Sequence, residues 1–128
     1  MEFSVELPLL GTLSMEHIFY VLGFDPILFV CTDNEKRRYL CSCCKLGEEW
    51  VVSQVPNNAL MALMENRLTI RAAFETSGNP IFFVRWDGEQ FFISRSAPDD
   101  ALPRKGAFLE LGNKVSKYSQ ELGKYKKG

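Results

Sequence analysis

Residues 81–95 read IFFVRW-DG-EQFFISR, and their reading decides what kind of sheet this chain builds. Two runs rich in aromatic and β-branched residues flank Asp87-Gly88, a dipeptide that accepts the positive φ of a tight turn. The pattern predicts a β-hairpin. A two-residue loop pairs Phe83 with Phe92 and Arg85 with Gln90. Side chains alternate across a strand, so Phe82, Val84, Trp86, Phe91 and Ile93 share one face, suited to a core. Ile81, Phe83, Arg85, Gln90, Phe92 and Ser94 share the other, which mixes large aromatics with polar groups and needs a cover.

Working upstream, residues 49–55, 37–45 and 27–32 read as three further strands. Short polar turns join them, so they form an antiparallel meander. Residues 13–24 fit a strand through Ile18, Phe19, Tyr20, Val21 and Leu22, although Ser14 with Glu16-His17 could open a short helix; the strand is the expectation. Between the meander and the hairpin, Pro56-Asn57-Asn58 is a helix-start signal with an asparagine as the expected cap. Leu60, Leu63, Met64 and Leu68 follow at helical spacing. Thr69 can cap a second short helix over 70–75, with Ile70, Ala73 and Phe74 on one face. Arg67 and Arg71 read as surface cations beside Glu65 and Glu75.

Downstream, residues 96–106 (SAPDDALPRKG) are irregular, and 107–111 (AFLEL) read as an edge strand or a docked coil. Leu111, Val115, Tyr118, Leu122 and Tyr125 then recur at spacings of four and three, one apolar stripe of a helix with lysines around it. The fold class expected is therefore α+β. An antiparallel meander and hairpin sheet of five or six strands packs on two short helices, with a C-terminal amphipathic helix. Residues 1–112 form a single domain and 113–128 a basic helix or tail.

With 46% apolar and 24% charged residues, the chain is ordinary globular material, and 128 residues suffice for one core. No apolar run approaches the ~20 residues of a membrane helix. The start, Met-Glu-Phe-Ser-Val-Glu, lacks the basic and apolar regions of a signal peptide, so a cytoplasmic location is expected. The net charge of -1 is unevenly placed, for residues 113–128 hold five lysines and one glutamate. A basic tail on an acidic body can fold back on it or reach an anionic partner.

No catalytic motif is present: no phosphate-binding glycine loop, no nucleophile elbow, no His-Glu-x-x-His. His17, the single histidine, and the Asp99-Asp100 pair are the remaining candidates for a small hydrolase-type enzyme. Both have plainer readings as a structural or solvated ring and as solvated loop carboxylates. Cys31, Cys41, Cys43 and Cys44 lack the spacing of a zinc knuckle and read as small buried apolar residues. No metal and no cofactor is expected.

Four blocks, Gly11-Thr12-Leu13, Pro26-Ile27-Leu28-Phe29, LTIRAAF at 68–74 and Leu102-Pro103-Arg104-Lys105-Gly106, occur in an order that resembles a family of small bacterial proteins with no assigned activity. The resemblance implies a bacterial or phage source and a compact α+β domain. It implies no substrate, cofactor or catalytic residue, and the basic tail lies outside it.

The function expected is a non-enzymatic protein-interaction or regulatory module. It would engage a partner, or a second copy, through Phe83, Arg85 and Phe92 or through Val115, Tyr118, Leu122 and Tyr125. The alternative is single-stranded nucleic-acid binding, with Phe83 and Phe92 stacking on bases and Lys114, Lys117, Lys124, Lys126 and Lys127 on phosphates. Burying two phenylalanines contributes roughly 3–6 kcal/mol, so an aromatic sheet face without a cover is costly.

Overall fold

Strands dominate the computed structural model, which describes residues 4–7, 10–76 and 78–96. In chain order they are β1 (Ser4–Leu7), β2 (Gly11–Leu22), β3 (Asp25–Thr32), β4 (Arg38–Lys45), β5 (Glu49–Gln54), β6 (Ile81–Trp86) and β7 (Phe91–Ser96). Helices α1 (Asn57–Met64) and α2 (Ile70–Glu75) fall between β5 and β6. All seven strands belong to one sheet, each paired antiparallel with its neighbours in sequence.

The α+β expectation is overturned. Strands hold 55% of the described structure and helices 16%, and the sheet curls into a nearly closed barrel rather than lying on a helical layer. The cause is visible in β3 and β4, whose interiors are buried on both faces. One pair of short helices can cover only one of them. On the outer face Val30, Leu40, Val51 and Ile81 pack with Leu60, Leu63, Ile70 and Phe74. On the inner face Phe29, Cys31, Tyr39, Cys41 and Val52 meet Leu7 and Leu13 from one end of the sheet and Phe82 and Val84 from the other. The sheet thus covers its second face with itself. Register shifts after Met15, Ile18 and Tyr20 in β2 supply local bending, since bulges raise strand twist. They also break the alternation that would have marked 13–24 clearly as a strand.

Helix α2 occupies the residues the sequence gives it, whereas α1 ends at Met64 and leaves Leu68, expected at its helical spacing, in the link between the two. Thr69 caps α2, its side chain accepting from Ala72 N–H at 3.1 Å. At α1 the capping position is Pro56, with no side-chain bond. Neither asparagine holds the capping position expected of one of them: both lie inside α1, and Asn57 accepts at Oδ1 from Arg38 Nη1 at 2.7 Å. Arg38 also donates through Nε to Glu16 at 2.8 Å, so one guanidinium ties β2, β4 and α1 together. Arg67 and Arg71 pair with Glu65 and Glu75. The C-terminal amphipathic helix and every residue assigned to it, Val115, Tyr118, Leu122 and Tyr125 with the five lysines, lie outside the described residues.

The β3–β4 loop is closed by a buried carboxylate, that of Asp33. Its Oδ1 accepts from the backbone N–H of Glu35 (2.9 Å) and Arg37 (2.8 Å), and its Oδ2 from Arg37 Nε (2.6 Å) and Tyr39 Oη (3.1 Å). Burial pushes this carboxyl upward, but the donors of Arg37, Glu35 and Tyr39 outweigh it and hold the group below its ordinary range. A depressed carboxylate contributes stability above its unfolded value, near 3.9, and loses it as pH falls through the folded value. We predict that Asp33→Asn lowers unfolding stability by roughly 2–4 kcal/mol at pH 7, because it removes the charge from four hydrogen bonds. The gap between variant and parent should narrow below about pH 4; denaturant titrations at pH 7 and pH 3 measure it, and an unchanged gap would refute the assignment.

Candidate functional site

In a sequential antiparallel meander, alternate turns lie at the same end of the sheet. The β2–β3, β4–β5 and β6–β7 turns therefore share one rim, with neighbouring turns about 10 Å apart. This rim is unusually apolar. Leu22 and Phe24 at the first turn are 41% and 102% exposed, Leu46 at the second is 40% exposed, and Phe92 beside the third is 42% exposed. Gly23 and Gly88, with φ of +65° and +103°, let the first and third turns reverse tightly.

The 81–95 hairpin forms, with a different register from that of a two-residue loop. The Asp87 carboxylate accepts from the N–H groups of Glu89 and Gln90, both at 2.8 Å, and Asp87 N–H donates to the Gln90 carbonyl at 3.2 Å. These bonds enlarge the loop to residues 87–90. Trp86 then pairs with Phe91, Arg85 with Phe92, and Phe83 with Ser94. A shift of two residues keeps every side chain on its expected face but separates Phe83 from Phe92.

The helices treat these aromatics differently. Phe83 is half-buried against the outer core. Phe92, further toward the rim, is exposed, and the Arg85 guanidinium lies over its ring at 5.1 Å from the centroid. Glu49 pairs across from Arg85, so Glu49, Arg85 and Phe92 form one outward row. On the inward side Trp86 and Phe91 meet at 4.6 Å between centroids and Trp50 reaches Phe91 at 6.3 Å, filling the rim end of the barrel interior. The charges on the rim are Asp25, Glu48, Glu49, Asp87 and Glu89 against Lys45 and Arg85, and Lys45 is paired with Glu48 at 2.9 Å. The rim thus carries four exposed apolar side chains among charges that are mostly acidic.

Sequence reading singles out Arg85 and Phe92 at this rim and passes over Leu22, Phe24 and Leu46, whose exposure the structure adds. Their signal is a large apolar side chain beside a turn glycine, a position that folding alone seldom fills that way.

His17 lies elsewhere, in a groove of about 380 Å³ between α1 and the sheet that Glu16, Val30, Arg38, Asn57, Leu60, Met61 and Met64 also line. Its ring stands edge-on to Phe19 at 4.8 Å. Glu16 accepts from Thr32 Oγ1 at 2.5 Å as well as from Arg38; Thr32, then Arg38, hold its carboxyl below the usual range against slight burial. The groove's carboxylate is thus engaged with its neighbours. Asp99 and Asp100, the other candidates for chemistry, lie outside the described residues.

All four cysteines are buried, each as a small apolar side chain within the sheet. Burial pushes the Cys41 thiol far up and the Cys43 thiol to about 11, which leaves neither a thiolate near neutral pH. Among the described residues no three histidine, cysteine, aspartate or glutamate side chains gather as a metal site. No helix among them is long and apolar enough to cross a membrane. Comparison of the chain with family models, curated proteins and solved structures finds no match.

The two phenylalanines separate structure from surface in a single experiment. Phe83→Ala is expected to cost roughly 2–4 kcal/mol of unfolding free energy and Phe92→Ala less than about 1 kcal/mol, measured by denaturant titration. Equal costs would mean that Phe92 is core and that the rim is smaller than described.

Proposed function

We propose that the protein is a non-catalytic interaction module that docks a partner on the rim formed by Leu22, Phe24, Leu46 and Phe92. The supporting observation is the grouping of these four exposed apolar side chains at one end of the barrel. Exposed apolar area of this kind is costly to keep unless something binds it. The surrounding carboxylates select a partner surface that carries cations around its own apolar residues. The reading puts the protein in a reducing, cytoplasmic compartment, where cysteines stay out of disulfides.

Single-stranded nucleic acid is less well served by this rim. Phe92 and Arg85 offer one stacking platform, but five carboxylates against two cations oppose a phosphate backbone.

The test uses the full chain, a fluorescent peptide alternating lysine with leucine and tyrosine, and an oligo-dT strand. The peptide is expected to bind, and more weakly as salt rises. Phe24→Asp with Phe92→Asp should weaken it at least tenfold while thermal unfolding shifts by only a few degrees. Binding of oligo-dT that the same changes abolish would replace this reading with the nucleic-acid one. A chain that stays monomeric at about 100 μM and binds neither probe would overturn both.

A further inference from the structure

The groove between α1 and the sheet is separate from the rim, and its lining is sorted by polarity. Asn57, Leu60, Met61 and Met64 line it from α1, at the i, i+3, i+4 and i+7 positions of one helix face. Asn57 opens the helix and Met64 closes it, about 10 Å apart along the axis. Arg38 is bonded to Asn57, and Glu16 to Arg38, so the polar groups of Arg38, Glu16 and Asn57 gather at the first end. From there on the surface is apolar. Val30 and Leu60 are buried, whereas Met61 and Met64 are 57% and 54% exposed, although the other apolar residues of α1, Ala59, Ala62 and Leu63, are buried with Leu60. An unbranched thioether adapts its shape readily to an apolar guest.

The polar end is arranged to donate. Arg38 is held through Nε by Glu16 at 2.8 Å and through Nη1 by Asn57 at 2.7 Å. Among the described residues its Nη2 has no acceptor, and the amide NH2 of Asn57 remains a donor because Oδ1 is the atom that takes the arginine bond. Each of these side chains fixes the other, which lowers the ordering cost of binding. The two unlike charges lie side by side, so an anionic head meets Glu16 and a cationic head meets Arg38. The Glu16 oxygens are already engaged by Thr32 and Arg38. A neutral carbonyl meets the donors and opposes neither charge.

We propose that this groove binds a small neutral amphipathic molecule, an acyl chain ending in an amide or ester. The carbonyl accepts from Arg38 and Asn57, and the tail lies over Val30 and Leu60 against the two methionines. The space of about 380 Å³ holds a tail of roughly eight carbons, which spans the length of α1.

Nuclear magnetic resonance titration of the full chain with octanamide, octanoate and octylamine tests both the place and the head. Octanamide is expected to give saturable shifts at His17, Asn57, Met61 and Met64, with a Kd near or below about 1 mM. Octanoate and octylamine should bind at least fivefold more weakly, and butanamide, with its short tail, at least tenfold. Met61→Glu with Met64→Glu should weaken octanamide at least tenfold while thermal unfolding moves by only a few degrees. Either charged head binding as tightly as the amide would overturn the proposal, and so would shifts centred on Leu22, Phe24, Leu46 and Phe92. The absence of any saturable shift up to about 3 mM octanamide would overturn it as well. The head series uses the unmodified protein, so the outcome does not depend on the variant folding.

Discussion

The architecture depends on the central strands being apolar on both sides. A strand buried on one face can float a sheet on a layer of helices, but β3 and β4 present Leu28, Val30 and Leu40 outward and Phe29, Cys31 and Cys41 inward. Each buried aliphatic side chain contributes roughly 1.5–3 kcal/mol, so exposing either set would remove a large part of the folding free energy. The 26 residues between β5 and β6 supply helices enough for the outer face. The inner face has to be met by the sheet's own ends, and the bulges of β2 make the necessary bend.

The two ends of this barrel are chemically unlike. At one, the β3–β4 loop is drawn shut by Asp33, Arg37 and Tyr39, a polar knot that leaves few groups for anything outside. At the other, the turns project Phe24 and Leu46, and the aromatic cluster of Trp50, Trp86 and Phe91 fills the interior behind them. Polar bonds have fixed directions and stabilise one geometry. Apolar turns backed by a filled interior give a surface that is firm in position and tolerant in chemistry, as recognition of a partner requires.

Much of this was legible in the sequence. The helix over 70–75 with its Thr69 cap, the meander of 27–55 and the face assignments of 81–95 follow from local pattern. Closure was not legible, because continuous runs such as Ile27-Leu28-Phe29-Val30 identify a strand without saying what lies on its second face. The hairpin register was missed for a different reason. Asp87-Gly88 is a strong turn signal, but the Asp87 carboxylate can organise a longer loop through backbone N–H groups, and composition does not distinguish the two. The rim was half visible. Strand alternation places Arg85 and Phe92 on the outward face, whereas Leu22, Phe24 and Leu46 fall at the same end only once the order of the strands is known.

That order has a kinetic meaning. Each of the first five strands pairs with the one made just before it, across connections of two to five residues. Closing such short loops costs little chain entropy, and contacts near in sequence speed assembly. The single long closure among the seven strands joins β5 to β6, and the helices between them shorten its span by folding locally. A sheet laid out in the order of synthesis can add strands as they emerge, with no early strand waiting for a distant partner. The hydrophobic inner face stays open until β6 and β7 arrive, so the interval before they do is when this chain is most exposed to mispairing.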